Sequence, residues 1–136
     1  MTRETRITAA VFVLSFLGVM FGGSVLLRKL VDDPAYGASP LHQDLWRAGH
    51  AHAALFLVLA LVCLPWIDAA RLSGRWRWFC RIAISSASIT FPLAFFLAAP
   101  EPSVAVAGPA LLLLWPGGAL LAAGLLVLAV GLLRDR

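Results

Sequence analysis

Three ionisable side chains stand close together where a long apolar segment begins. They are Arg47, His50 and His52, in the run WRAGHAHAALF that extends from Trp46 to Phe56. Charged and titratable groups near hydrocarbon are costly, so in membrane proteins they usually have a partner or a function. Imidazole can ligate a metal or haem, transfer protons or form hydrogen bonds. The sequence therefore predicts one functional site at this end of the segment.

Polar residues upstream of this run supply further ligands. Imidazoles favour a transition metal or a haem as the cofactor. Haem ligands are expected among the three histidines, which are His42, His50 and His52. A metal ion would combine histidines with carboxylates, and the candidates are His50, His52, Asp32, Asp33 and Asp44. The predicted function is metal or haem binding by a small redox or assembly component.

Two other functions remain open for the same residues. In a membrane enzyme acting on a lipid or a small apolar substrate, His50 or His52 would be the acid or base, and Arg47 would hold an anionic group. In a structural subunit of a membrane complex, both histidines would form hydrogen bonds to backbone groups or to carboxylates of the preceding segment.

The spacing of the two later histidines restricts how they can act. Residues two apart on a helix diverge by about 200°, so His50 and His52 cannot ligate one ion from a regular helix. Either Gly49 allows an extended start to the helix, or the two histidines have different partners. The pair Ser39-Pro40 resembles a helix start, with a serine cap followed by proline. The helix could therefore begin before His42.

The composition is that of a membrane protein. The 136 residues are 61% hydrophobic and only 13% charged, and the mean hydropathy is +0.89. Four apolar stretches, each near the ~20 residues that cross a bilayer, cover 7–27, 49–67, 79–99 and 109–133. We expect a single all-α domain over 1–136, a bundle of four transmembrane helices in the lipid bilayer. The segment 28–48 is either a loop or partly helical.

Basic residues indicate the orientation, because cytoplasmic loops are enriched in lysine and arginine. One side would carry the N-terminus, the second connection and the C-terminus, with Arg3, Arg6, Arg71, Arg75, Arg77, Arg81, Arg134 and Arg136. The other side would carry Arg28, Lys29 and Arg47. The sequence thus predicts a multi-pass protein of the cell membrane with both termini cytoplasmic and 28–48 outside. The formal charge of +4 is then mostly a topology signal, and no nucleic-acid partner is expected.

Glycines recur at spacings that return to one face of a helix. Gly18 and Gly22 are four residues apart, whereas Gly117, Gly124 and Gly131 are seven apart. Such smooth strips allow helix backbones to approach closely. They predict close packing within the bundle and a homo- or hetero-oligomer formed through the glycine-rich faces.

The motifs of several soluble enzyme classes are absent from the sequence. It contains neither a P-loop nor a GxSxG elbow nor a dinucleotide-binding fingerprint. Its two cysteines, Cys63 and Cys80, are too far apart for a CxxC motif and are expected to pack as small apolar residues.

The run His50-Ala-His52-Ala-Ala-Leu-Phe resembles the histidine-x-histidine helix entries of haem and copper membrane proteins. These include the NnrS family and relatives of haem-copper oxidase subunit I, and the resemblance implies haem or metal ligation by the two histidines. In length and helix number the chain is also similar to the microsomal glutathione transferase family. That family has an arginine and a histidine near the start of helix two, where this chain has Arg47 and His50.

Overall fold

Helices make up nearly all of the structure, a computed structural model that describes residues 1–99 and 106–134. In chain order they are α1 (Arg3–Asp32), α2 (Pro34–Gly37), α3 (Pro40–Ala69), α4 (Gly74–Ala98), a 3-10 turn (Pro109–Leu113) and α5 (Leu114–Leu133). The described residues contain no strand, which confirms the prediction of an all-α bundle.

Four segments of the described chain are long and apolar enough to cross a membrane. They are Arg3–Asp32, Pro40–Ala69, Gly74–Ala98 and Pro109–Leu133. Their outer sides expose many large apolar residues, which suits contact with lipid because hydrocarbon replaces water there. The chain is therefore a multi-pass α-helical membrane protein.

The helices are longer than the apolar stretches that predicted them. α3 begins at Pro40 with Ser39 as its N-cap, although the serine side chain forms no capping hydrogen bond. The segment 28–48 is accordingly mostly helical, since α1 extends to Asp32 and Asp33 caps the short α2. Gly49 lies in the middle of a continuous α3, so the alternative of an extended start at that glycine is wrong.

The seam between α4 and α5 is built on the glycines spaced by seven. Gly117, Gly124 and Gly131 are all buried. A Cβ added at Gly124 would lie 2.8 Å from the Cβ of Ala83, and one added at Gly117 would lie 2.9 Å from Thr90 Oγ1. The prediction of close packing within the bundle is thus confirmed for α5, and its glycine strip is already covered by this chain.

α1 is attached to the bundle on one side only. It packs against α3 and α2 and makes no comparable layer of contacts with α4. Within its apolar window no residue is buried. A groove therefore remains between α1 and α4, with α3 as its floor.

One end of α1 is held by a buried polar cluster. Arg81 Nη2 donates to Asp68 Oδ1 at 2.6 Å, and the Thr5 hydroxyl donates to the same oxygen at 2.9 Å. The backbone amide of Thr2 donates to Asp68 Oδ2 at 2.7 Å. This cluster joins the start of α1 to the end of α3 and the start of α4.

Candidate functional site

The imidazole of His50 lies flat against two consecutive glycines of α1. A Cβ added at Gly23 would lie 3.2 Å from Nε2 of His50, and one added at Gly22 would lie 3.5 Å from Nδ1. Most other residue types at Gly23 would therefore push the ring away. The close approach of α1 to α3 at this level depends on Gly23, whereas a Cβ at Gly22 would make an ordinary van der Waals contact.

His50 is also part of the wall of the groove between α1 and α4. The groove has a volume of about 390 Å³. Its lining is formed by Val11, Phe12, Ser15, Gly18, Val19, Gly22, His50, Ala53, Leu57, Ser88, Ile89 and Phe96. His50 is the one titratable residue among these side chains.

The hydroxyl groups in the lining already donate within their own helices. Ser15 Oγ donates to the Val11 carbonyl at 2.9 Å, and Ser88 Oγ donates to the Ser85 carbonyl at 2.7 Å. Neither ring nitrogen of the half-buried His50 has a hydrogen-bond partner in residues 1–99 and 106–134. In an apolar setting an unpaired imidazole is a strong site for a polar group of a ligand.

Phe96 closes the groove near His50. Its ring packs on the bare backbone of Gly49, where an added Cβ would come within 2.8 Å of the ring. On its other side the ring contacts Trp46 edge to face, with centroids 5.5 Å apart. The Trp46 indole Nε1 is buried without a hydrogen-bond partner in the described part of the chain.

His52 lies on a different side of α3, as the two-residue spacing requires. Its Nδ1 is 2.7 Å from the Ala48 carbonyl. Because a carbonyl only accepts, Nδ1 carries the hydrogen, and in the neutral ring Nε2 is then the acceptor. Phe95 and Phe91 of α4 flank the ring, at centroid distances of 4.8 and 5.9 Å. His50 and His52 therefore face different helices.

His42 lies in an aromatic cluster above the groove. It stacks on Trp46 one turn further along α3, with centroids 5.7 Å apart, and meets Tyr36 edge to face at 5.4 Å. The Lys29 ammonium lies 5.2 Å from the Trp46 ring and 5.8 Å from that of Tyr36. Burial raises the pKa of Tyr36. These contacts connect the end of α1 to α2 and α3.

The remaining candidate residues are bound to near neighbours. Asp32 pairs with Arg28 at 3.3 Å, and Asp44 lies 3.9 Å from Arg47. Asp33 accepts the Tyr36 backbone amide at 3.1 Å, which lowers the pKa of this carboxyl, helped by Lys29.

Arg47 is exposed and donates to the Gln43 side chain at 2.9 Å, one turn outward along α3. Within the described ranges no three histidines, cysteines or carboxylates form a group that could hold a metal ion. The structure thus does not bring His50, His52, Asp32, Asp33 and Asp44 together.

Several residues of this site are absent from the sequence prediction. Gly23 and Phe96 shape the surroundings of His50, and Ser15 and Ser88 line the groove. The pair Gly22-Gly23 was the available signal, because two adjacent glycines inside a helix weaken it unless something packs closely there. Which side chain occupies the space depends on how α1 is aligned with α3, and the sequence does not show that alignment.

Comparison with protein-family models, curated proteins and solved structures finds no match. Fold and site together define a four-helix membrane protein with an apolar groove and a single imidazole in its wall.

Proposed function

We propose that the protein binds a single-chain amphiphile in the groove between α1 and α4, with His50 holding the polar head. The observation that carries this proposal is the unpaired imidazole in a groove whose other lining is apolar or internally bonded. A hydroxyl or carboxyl head would supply the missing hydrogen bond to His50.

The dimensions of the groove support a ligand of this shape. Its volume of about 390 Å³ is within the range of small-molecule sites. From Gly22 to Val11 the lining follows α1 for roughly 16 Å at ~1.5 Å per residue, which suits one acyl chain. His50 lies near the Gly22 end, so the chain would extend toward Val11. The open side between α1 and α4 provides entry from the bilayer.

A photoreactive ligand tests this proposal directly. The protein in phosphatidylcholine nanodiscs is irradiated with a palmitic acid or hexadecanol that carries a diazirine in its chain. Peptides that contain groove residues should be cross-linked in the wild type. His50→Phe should reduce the cross-linking severalfold, because an aromatic ring remains in the wall but the hydrogen-bonding nitrogens are lost.

Two controls make the result specific. His52→Phe is the matched histidine substitution outside the groove and should leave cross-linking unchanged. A diazirine hexadecane, which has no polar head, should not distinguish wild type from His50→Phe. Equal labelling of wild type and His50→Phe by palmitic acid and hexadecanol would overturn the proposal.

Haem or metal binding is a second candidate, supported by the geometry of His52. An Nδ1–H bonded to a backbone carbonyl leaves Nε2 as the nitrogen that could ligate a metal, as in many metal-ligating histidines. It ranks second because Phe91 and Phe95 already pack around that ring. Metal analysis and an absorption spectrum of the purified protein test it, since a ligated haem would give a Soret band that His52→Ala shifts or removes.

We place the protein in the cell membrane with both termini cytoplasmic and His50 toward the outer side. The distribution of arginines supports this orientation. We also expect an oligomer, but not through the α5 glycines, which are covered by α4 and Leu72. Crosslinking in intact membranes tests whether copies of the chain associate.

A further inference from the structure

A second apolar cleft lies at the arginine-rich end of the bundle, where α4 begins and α5 ends. It has a volume of about 280 Å³ and is lined by Leu72, Trp76, Leu126, Val127, Val130 and Arg134. It shares no lining residue with the groove at His50. One wall is exposed apolar surface, since Leu126 is 68% and Val130 52% exposed.

The wall formed by the connection between α3 and α4 is fixed to α5. The Arg71 backbone amide donates to the Gly131 carbonyl at 2.8 Å. The Leu72 side chain lies so close to Gly131 that an added Cβ would be 2.6 Å from its Cγ. The cleft is therefore a defined feature of the α4–α5 packing.

One arginine lines this cleft and a second lies beside its tryptophan, and neither forms an ion pair with a carboxylate among the described residues. Arg134 is part of the lining, and the guanidinium of Arg75 lies 5.8 Å from the Trp76 ring. Glu4 and Asp68 are the carboxylates that the described chain has at this end, and Asp68 is bound to Arg81. Among the described residues, arginines thus outnumber carboxylates at this end, and Arg134 and Arg75 bring positive charge to the apolar cleft.

Tryptophans indicate that the mouth is at the level of lipid headgroups. Trp66, Trp76 and Trp78 are 54%, 43% and 51% exposed at this end of the bundle. Tryptophan side chains concentrate where hydrocarbon meets headgroups. Leu126 and Val130 precede Arg134 on α5 by two and one turns, so they lie on the hydrocarbon side of that level.

We infer that this cleft binds one anionic phospholipid. An acyl chain lies along Leu126 and Val130, while Arg134 and Arg75 bind the phosphate. Guanidinium groups match phosphate oxygens in geometry as well as charge. The cleft combines an apolar slot, an interfacial tryptophan and two arginines that have no carboxylate partner in 1–99 and 106–134. This combination selects an anionic over a zwitterionic lipid.

Native mass spectrometry of the detergent-solubilised protein tests the inference. The probes are palmitoyl-oleoyl phosphatidylglycerol and the matching phosphatidylcholine. We expect one phosphatidylglycerol bound more tightly than phosphatidylcholine. Arg134→Gln and Arg75→Gln should each weaken it about fivefold, the effect of one arginine near an anionic headgroup. Thermal melts establish that each variant is folded.

Two further variants distinguish lipid binding in the cleft from general attraction to the positive charge at this end of the bundle. Arg6→Gln removes one charge from the same end away from the cleft and should leave the tightly bound lipid in place. Val130→Trp keeps both arginines but fills the slot, and it should abolish the preference for phosphatidylglycerol. Three results would overturn the inference. Arg6→Gln and Arg134→Gln could weaken lipid binding equally, Val130→Trp could keep the preference for phosphatidylglycerol, or the wild type could bind the two lipids equally. His50→Phe should retain the lipid, so this site is tested independently of the groove.

Discussion

Arg81 of α4 and Asp68 of α3 form a buried ion pair at the arginine-rich end, with 2.6 Å between Nη2 and Oδ1. The side chains are only 6% and 12% exposed. The same Nη2 donates to the hydroxyls of Thr2 and Thr5 at 3.0 Å each. Because α1 has little other buried surface, this pair also determines where its first turn attaches.

Asp68→Asn should strongly destabilise the protein. The amide would leave the Arg81 charge buried without a counter-ion, a change that typically costs ~3–5 kcal/mol. The unfolding temperature in detergent should fall by many degrees. Proteolysis near the N-terminus should also accelerate, because the asparagine NH2 replaces one of the two carboxylate oxygens that accept from Thr2 and Thr5.

Asp32→Asn is the matched control for that substitution. It removes the same charge from an exposed pair with Arg28, in which both side chains are more than half exposed. Surface pairs contribute ~0–1 kcal/mol, so its melting temperature should stay near that of the wild type. Similar effects of the two substitutions would show that the buried cluster is not an important attachment of α1.

The buried pair also shows where sequence reasoning ends. In the sequence Arg81 is one of four arginines between the second and third apolar stretches, a pattern that indicates topology and not a buried pair. Whether such a residue pairs across the bundle depends on distances between α1, α3 and α4, which the sequence does not encode in a local pattern. By contrast, the α5 glycines could be interpreted correctly, because a spacing of seven returns to the same helix face whatever the partner is.

Gly124→Ala should lower stability although alanine is the better helix former. The new Cβ would lie 2.8 Å from the Cβ of Ala83 and 3.1 Å from Ile84 Cγ1, so α5 must move away from α4. Overpacking of this kind costs ~1–3 kcal/mol.

Gly118→Ala is the control on the same helix, where the nearest atom to an added Cβ is Phe91 Cζ at 3.8 Å. It should be neutral or slightly stabilising, because the contact is ordinary and alanine favours the helix. Thermal melts of both variants in one detergent measure the difference. Equal melting temperatures would contradict close packing at Gly124.

Tyr36 should titrate above its ordinary value in the folded protein. The side chain is 1% exposed, and burial disfavours the phenolate, so the pKa is raised. It is the only tyrosine in the chain, so absorbance at the phenolate band reports on this residue alone. The midpoint should exceed about 10 in the folded protein and return to about 10 in denaturant.

The stability consequence of this shift has a definite sign. Because the pKa of Tyr36 is higher in the folded state, the folded protein binds more protons than the unfolded protein at alkaline pH. The contribution of Tyr36 is therefore complete below about pH 10 and is lost as the pH rises through the folded pKa. Tyr36→Phe should remove both the absorbance change and this part of the alkaline destabilisation. A folded midpoint at or below the denatured one would contradict the burial of Tyr36.

Helix geometry predicts one feature of the candidate site, and the rest depends on how the helices pack. The divergence of His50 from His52 follows from 100° per residue and needs no knowledge of neighbours. The surroundings of each ring do depend on the neighbouring helices, since Gly23 of α1 packs on His50 and Phe96 of α4 lines the same groove. The ion pairs of Asp32 and Asp33 follow instead from local spacing, because Arg28 and Lys29 each lie one turn back along the chain.

Cysteine labelling on intact cells should fix the orientation. Gly37 is exposed in the connection between α1 and α3, with no atom within 4 Å of an added Cβ, whereas Ser39 is only 6% exposed and would label poorly. Ser73 is exposed at the opposite end and makes no side-chain capping bond to lose.

A membrane-impermeant maleimide should label Gly37→Cys on intact cells and Ser73→Cys only after permeabilisation. Background from Cys63 and Cys80 should be low, because both are buried. Labelling of Ser73→Cys first would invert the topology, placing His50 toward the cytoplasm and the phospholipid cleft in the outer leaflet.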